Sequence, residues 1–276
     1  MPDERRLAIV GYGKMGKLVE QFAPDYGFIV ALKLDEFNNT SFEGLTKENF
    51  AGVDVAVDFS IPAAVPRNAE GIAALGVNLV IGTTGWLEHL AQVKAAVERS
   101  GTGLVWSPNY SIGVNAFFRL VADAARLLAS EKEYGAWAWE VHHSTKKDAP
   151  SGTLLKLVEE MKKSGYARSI DVSSSRAGAH PGTHEIGFDS AADTITLRHS
   201  ARSREGFARG ALTAARWVVG KKGFHEFCGF IRAHLDSIGS NTRTAVSGRI
   251  PAKCLTQRRA RFVDRSVCFA YERTDS

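Results

Sequence analysis

Five near-continuous apolar runs punctuate the first 106 residues: LAIV (Leu7–Val10), FIVALKL (Phe28–Leu34), VDVAVDF (Val53–Phe59), VNLVI (Val77–Ile81) and GLVW (Gly103–Trp106). Short runs without polar alternation predict strands buried on both faces of a parallel sheet. Between them lie segments with helical apolar spacing, such as KMGKLVEQFA and LEHLAQVKAAVERSG, the latter ending in a glycine suited to a helix C-terminus. This alternation confines the first part of the chain to an α/β architecture with right-handed crossovers.

The first run ends in GYGKMG, where Gly11, Gly13 and Gly16 spell GxGxxG. Alone the pattern is weak, because glycine hexamers arise by chance and serve as plain loops. Here a strand precedes it, a helix follows, and Asp35 closes the next strand 19 positions after Gly16. Such a turn lets a pyrophosphate approach backbone N–H groups at a helix N-terminus, and the acid accepts hydrogen bonds from ribose. A Rossmann-type doubly wound sheet binding a dinucleotide is the expectation. Lys14 and Lys33 are near enough in sequence to reach a 2′-phosphate, so NADH and NADPH both stay open. GTTG (Gly82–Gly85) and SPNY (Ser107–Tyr110) follow later strands at the same sheet edge. Either loop alone is ordinary turn chemistry.

Beyond a helical stretch at Val114–Ser130 the pattern changes. In AWAWEVHH, Trp137, Trp139 and Val141 alternate with Ala136, Ala138 and Glu140, which predicts a half-exposed strand. Further strands are expected around Ile186–Phe188 and Thr194–His199, with helices at Leu154–Lys163 and Phe207–Gly220. The expected plan is therefore a dinucleotide-binding domain over 1–112, completed by a returning segment 205–227. An α+β substrate and oligomerisation domain with an open mixed sheet occupies 113–204, and a divergent basic tail 228–276.

Composition separates the tail from the body. From Cys228 onward there are nine Lys/Arg and four Asp/Glu, which accounts for the whole net charge of +5 and leaves the first 227 residues balanced. A balanced body gives no electrostatic footprint for nucleic acid. No apolar stretch approaches a membrane span, and MPDERRLAIV lacks the features of a secretory signal. The three cysteines, Cys228, Cys254 and Cys268, have no metal-ligand spacing. An odd, scattered set suits a reducing cytoplasm. Cytoplasmic location with neither nucleic-acid nor membrane partners is the expectation.

The densest chemistry lies in EVHHSTKKDAPSGT (Glu140–Thr153). PSGT stands immediately before a helix whose apolar residues Leu154, Leu157, Val158 and Met161 share a face. Ser or Thr there is a common cap, but an anion site needs the same N–H groups, and Lys146 lies just upstream. With His142 and His143 this predicts a pocket for a negatively charged substrate beside a group that titrates near neutrality. Adjacent histidines on a strand point to opposite faces and no third ligand has suitable spacing, so no metal is expected.

This segment resembles the E-x-H-H-x-x-K-x-D-A-P-S-G-T signature of the dihydrodipicolinate reductase (4-hydroxy-tetrahydrodipicolinate reductase) family. GTTG, SPNYSIGVN, RAGAHPGTHEIGF (Arg176–Phe188) and RSREGFARGALTAARW (Arg202–Trp217) match in order, so the resemblance covers roughly Leu7 to Phe227. It implies that His142 gives or takes the proton, that Lys146 is a second proton donor, and that His143, Gly152 and Thr153 bind substrate carboxylates. It implies a nicotinamide cofactor, NADH or NADPH, lined by Gly11, Tyr12, Gly13, Lys14, Met15, Gly16, Asp35, Gly82, Thr83, Thr84, Pro108, Asn109 and Tyr110. The reaction implied is hydride delivery to C4 of a small dicarboxylate ring, in lysine and diaminopimelate biosynthesis, by a homotetramer.

The chain departs from that pattern in three places. Its glycine loop is one residue shorter than the common G-x-x-G-R-M-G, Ser144 stands where many members are basic, and the sequence after Phe227 is unlike theirs. Two other readings fit the residues: a different two-domain nicotinamide dehydrogenase, or a non-catalytic nucleotide-binding regulator using the basic tail.

Overall fold

The computed structural model describes residues 4–229 and Ile231. Six parallel strands form the first sheet in the order β2-β1-β3-β4-β5-β10. They are β1 (Arg5–Val10), β2 (Phe28–Leu34), β3 (Val55–Asp58), β4 (Asn78–Ile81), β5 (Gly103–Trp106) and β10 (Gly223–Glu226). Successive strand residues feed opposite faces, as the pleat requires. Leu7, Ile9, Val55, Val57, Val80 and Val105 pack with Val19 and Phe22 of α1 (Lys14–Phe22) and with Ala211, Leu212 and Ala215 of α6 (Glu205–Val218). Ala8, Val10, Ala56, Leu79, Ile81 and Leu104 pack with α2 (Val65–Ala74) and α3 (Leu90–Ser100). Each fully buried Leu, Ile or Val contributes roughly 1.5–3 kcal/mol, so this double coverage is what holds the sheet.

FIVALKL departs from the expectation of burial on both faces. β2 is an edge strand whose residues alternate between covered and exposed, with Ile29 47% exposed. Apolar content alone does not report that one neighbour is missing. At the other edge, β10 pairs with β5, so the chain leaves this sheet after Trp106 and returns to it at Gly223. No strand was expected at Gly223–Glu226, where GFHE has little apolar character.

The excursion builds a second sheet in the order β7-β6-β8-β9. β6 (Gly135–His142) pairs in parallel with β7 (Ile170–Arg176) and antiparallel with β8 (Thr183–Asp189), which pairs antiparallel with β9 (Thr194–Ser200). β7 was missed because IDVSSSR has no apolar run and its alternation stops after Ile170 and Val172. Phe117, Val121 and Ala125 of α4 (Ile112–Leu127) and Leu154, Leu157 and Met161 of α5 (Gly152–Lys163) cover one face over Ala136, Ala138, Ile186 and Phe188. β6 turns its alanines and Glu140 inward, leaving Trp137 and Trp139 half-buried on the other face. Both expected sheets are present, one parallel and one mixed. The expectations for the tail, with Cys254 and Cys268, lie outside the described residues.

Candidate active site

Two groups of expected site residues gather at different places. The first surrounds a cleft of ≈ 530 Å³ lined by Gly11, Tyr12, Gly13, Asp35, Glu36, Phe37, Ser60, Ile61 and neighbouring residues. It opens where β1 and β3 diverge in connection, the switch point at which doubly wound sheets take their ligands. Gly11 makes the turn possible. Its φ is +86°, and a Cβ there would come 2.5 Å from the Phe59 carbonyl carbon, so no other residue fits without moving β3. Asp35 accepts the backbone N–H groups of Phe37 at 2.9 Å and Asn38 at 3.3 Å through one carboxylate oxygen.

Several expected cofactor residues are placed in specific ways. Lys14 is the exposed first residue of α1, Met15 is partly covered and Gly16 is buried in that helix. The phenol of Tyr12 donates to Glu20, and Lys33 pairs with the same carboxylate at 2.9 Å. Lys33 is thereby turned toward α1 and does not line the cleft. In the GTTG loop Gly82 abuts the Phe59 ring, Thr84 is exposed, and the Thr83 hydroxyl is buried against Asp58 at 3.0 Å. In SPNY, Pro108 is exposed and Asn109 accepts the Ser111 N–H at 2.9 Å. Tyr110 has its ring in the core, with its hydroxyl 3.0 Å from both the Ile81 and the Val105 carbonyl oxygens. Only its backbone is left for a ligand at that loop.

Missed by sequence reasoning, Asp58 ties these loops together. Fully buried, it accepts from Ser60 N and Oγ, Asn68 Nδ2 and Thr83 Oγ1. Burial raises its pKa against the pull of those four donors.

The second group lies at the end of β6 and the start of α5. Ser151 caps α5, accepting the Leu154 N–H at 3.2 Å, and Gly152 and Thr153 form the first turn. Gly152 is exposed, with no atom within 4 Å of where a Cβ would sit. Lys146 Nζ lies 2.7 Å from Asp148 Oδ1. That lysine holds the Asp148 carboxyl below its usual range, and the Gly152 N–H adds to the effect. An ammonium and a helix-start amide thus already share a carboxylate. His143 is half-buried, its Nδ1 2.7 Å from Thr145 Oγ1.

His142 is 8% exposed and sits inside, next to Glu140, which is fully buried. The Glu140 carboxylate accepts Ser151 N at 2.8 Å, Ser174 Oγ at 3.0 Å and Arg176 Nη2 at 3.1 Å, together with the Ser151 hydroxyl. His142 Nδ1 and His184 Nε2 approach it at 3.5 and 3.4 Å. Burial raises the Glu140 pKa, but the donors outweigh it and the net shift is downward. Burial lowers both histidines. Glu140 opposes this at His142, where Lys146 and Arg176 add to the lowering, and His142 adds to the lowering of His184. Burial thus disfavours the charged form of both rings, while the donors around Glu140 favour its ionised form.

The expectation that the histidines lack a third metal-ligand partner was wrong in its reason. Glu140, His142 and His184 place donor atoms within 4.8 Å of one another. What weighs against a divalent ion is that Arg176 already offsets the carboxylate's charge through Oε1, and that the Oε2 facing the histidines already accepts the Ser151 hydroxyl. The sequence did contain a signal for Glu140, since period two along β6 puts it inward with Ala136 and Ala138. His184, Ser174 and Arg176 carry no local signal; only the strand pairing brings them here.

A switch-point cleft on a doubly wound sheet, with a second sheet whose β6 end leads into a loop holding an ammonium and a capped helix start, fits a dinucleotide-fold oxidoreductase. The models for "Dihydrodipicolinate reductase, N-terminus" and "Dihydrodipicolinate reductase, C-terminus" match residues 5–110 and 113–230. The chain belongs to the dihydrodipicolinate reductase family. It is 32% identical to the 4-hydroxy-tetrahydrodipicolinate reductase of Christiangramia forsetii over 79% of this chain and 93% of that one. It is 34% identical to the enzyme of that name from Methanosarcina mazei, covering 80% and 86%. Among solved structures, the dipicolinate-bound dihydrodipicolinate reductase from Paenisporosarcina sp. TG-14 superposes with a TM-score of 0.68 at 23% identity, covering 82% of this chain and 98% of that one.

Proposed function

We propose that this chain reduces 4-hydroxy-tetrahydrodipicolinate to tetrahydrodipicolinate, the reaction of lysine and diaminopimelate biosynthesis for which its relatives are named. The observation that carries the reading is the junction at Glu140, where one buried carboxylate holds both the strand that bears His142 and the capped helix start that presents Gly152 and Thr153. Such a junction supports reading His142 as a proton-transfer group beside an anion cradle, which suits a dicarboxylate whose ring must be protonated.

The 4-hydroxyl leaves as water to give a conjugated ring, and a nicotinamide, when bound, would supply hydride to its C4. Lys146, Gly152 and Thr153 take the substrate's carboxylates, which exchange with Asp148 for the lysine and the Gly152 N–H. His143 stands at the same rim. His142 delivers a proton to the carbon next to C4, and Lys146 offsets negative charge that develops as the ring accepts the hydride. Gly11 to Gly16, Asp35, Gly82, Thr83, Thr84, Pro108, Asn109 and the Tyr110 backbone hold the cofactor, with Phe37 and Ile61 as apolar walls for its adenine. On this reading the first sheet serves the cofactor, and the second serves the substrate and the tetramer. A cytoplasmic setting goes with it; no helix among the described residues is long and apolar enough to cross a membrane.

The cofactor is NADH rather than NADPH. Asp35 and Glu36 line the cleft with no lysine or arginine among its described lining residues, and Lys33 is committed to Glu20. Two carboxylates disfavour a 2′-phosphate and suit free ribose hydroxyls.

A coupled assay with substrate generated in situ tests the proposal. Cofactor oxidation that depends on 4-hydroxy-tetrahydrodipicolinate is expected. Oxidation with aspartate semialdehyde or a sugar instead, or with no substrate in the panel, overturns it.

A further inference from the structure

We infer that Glu140 is a positioning residue: its buried carboxylate fixes His142 in the tautomer that carries hydrogen on Nδ1, so that the proton for the substrate enters and leaves at Nε2. The inference rests on the proposed reduction and assigns a task to a residue that reading leaves idle.

Geometry carries the argument. His142 Nδ1 is buried, has no hydrogen-bond partner, and lies 3.5 Å from Glu140 Oε2. A lone pair on the buried Nδ1 would face a carboxylate lone pair, whereas an N–H there meets the negative charge. The carboxylate itself is held by Ser151, the cap of α5, and by Ser174 and Arg176 of β7, so it has no freedom to swing away. The ring's other edge is confined too. Gly182 has φ +137°, and a Cβ on it would lie 3.0 Å from both Cδ2 and Nε2 of His142. The ring is clasped between a carboxylate on one side and a side-chain-free backbone on the other. An imidazole oriented by a carboxylate at its far nitrogen is a recurrent device, and losing the right tautomer is costly.

His184 shares the same carboxylate oxygen at 3.4 Å and touches Ser151 Oγ at 3.2 Å. Its ring meets His142 edge-on at 5.0 Å between centroids. It therefore props the His142 plane, and Arg176, Lys146 and Asp148 are the remaining charged groups around that ring. In the step, a proton passes from Nε2 of the imidazolium to the ring carbon whose electron pair hydride delivery has created. The hydrogen on Nδ1 stays there, facing Glu140, throughout, and the neutral imidazole left by the transfer regains its proton at Nε2 from solvent.

Two measurements on the full chain test this. Multiple-bond ¹⁵N–¹H spectra of uniformly ¹⁵N-labelled protein at pH 8 are expected to show His142, assigned by loss of its signals in His142→Gln, protonated at Nδ1 and bare at Nε2. A wild-type ring protonated at Nε2 overturns the inference, and this reading needs neither substrate nor a Glu140 variant. In the second, Glu140→Gln is expected to lower kcat roughly 100-fold with the KM for NADH within about twofold. Made in the His142→Gln background, the same change is expected to cost nothing further. An equal fractional loss in both backgrounds means Glu140 acts through general structure and overturns the inference. A wild-type chain that turns over no substrate refutes the proposed reaction instead, and the tautomer is still read from the spectrum.

Discussion

Thr83 donates its hydroxyl to the buried Asp58 carboxylate at 3.0 Å, binding the loop after β4 to the end of β3. Thr83→Val keeps the shape and removes the donor, leaving a buried carboxylate with one fewer partner. The expected cost is about 1–3 kcal/mol, read from urea unfolding, with weaker NADH binding by titration. Unchanged stability would show that Asp58 does not depend on this bond.

Tyr110→Phe removes a hydroxyl shared by the Ile81 and Val105 carbonyls and touches nothing in the cleft. A stability loss of roughly 1–2 kcal/mol is expected, with the dissociation constant for NADH unchanged. A large change in cofactor affinity with normal stability would return the phenol to the cofactor site.

His142→Gln and Lys146→Ala are each expected to lower kcat by ~10²–10⁴-fold with a normal circular dichroism spectrum. Lys146→Ala also raises the KM for the dicarboxylate, because Lys146 pairs with Asp148, a carboxylate just upstream of the α5 turn. Near wild-type turnover in the folded double variant would remove both roles.

Cofactor choice follows from Asp35 and Glu36. The wild-type chain is expected to show kcat/KM for NADH at least about tenfold above that for NADPH. Glu36→Arg is expected to raise the NADPH value, since it replaces a cleft-lining acid with a phosphate partner. A wild-type preference for NADPH would mean that Lys14 or another cation reaches the ribose.

Acid is expected to destabilise the second sheet. His184 is pushed down to about 4, chiefly by burial. Between that value and the ordinary ~6.5 the unfolded chain binds the proton that the folded one refuses. Stability therefore rises with pH through this window and falls on acidification. Glu140, lowered in the folded state, acts with the same sign at lower pH, its contribution being lost as pH falls through its folded pKa. Thermal melts from pH 8 to 5 are expected to show a falling Tm, and His184→Gln to flatten the slope. A flat wild-type profile would contradict the lowered His184 pKa.

Sequence patterning reached the strands that bury two faces, because continuous apolar runs such as Val55–Asp58 leave few other structures open. It reached the glycine turn at Gly11 and the capped helix start after Ser151 because each needs specific residues at specific spacing. It failed where tertiary pairing decides. Ser174 and Arg176 sit on a polar strand that exists by pairing with β6, and they meet Glu140 only through that register. At Tyr110 the loop position is legible in sequence, and the burial of its ring in the core is not. The edge position of β2 was hidden for the same reason, because which strand lacks a neighbour is a property of topology.

The return of the chain at Gly223–Glu226 sets an order of assembly. While the protein is being synthesised, β5 waits with one side unpaired until the ribosome has also delivered every strand of the second sheet. A ribosome that stalls before Gly223 therefore leaves a nascent chain with a bare parallel edge, open to the wrong partner.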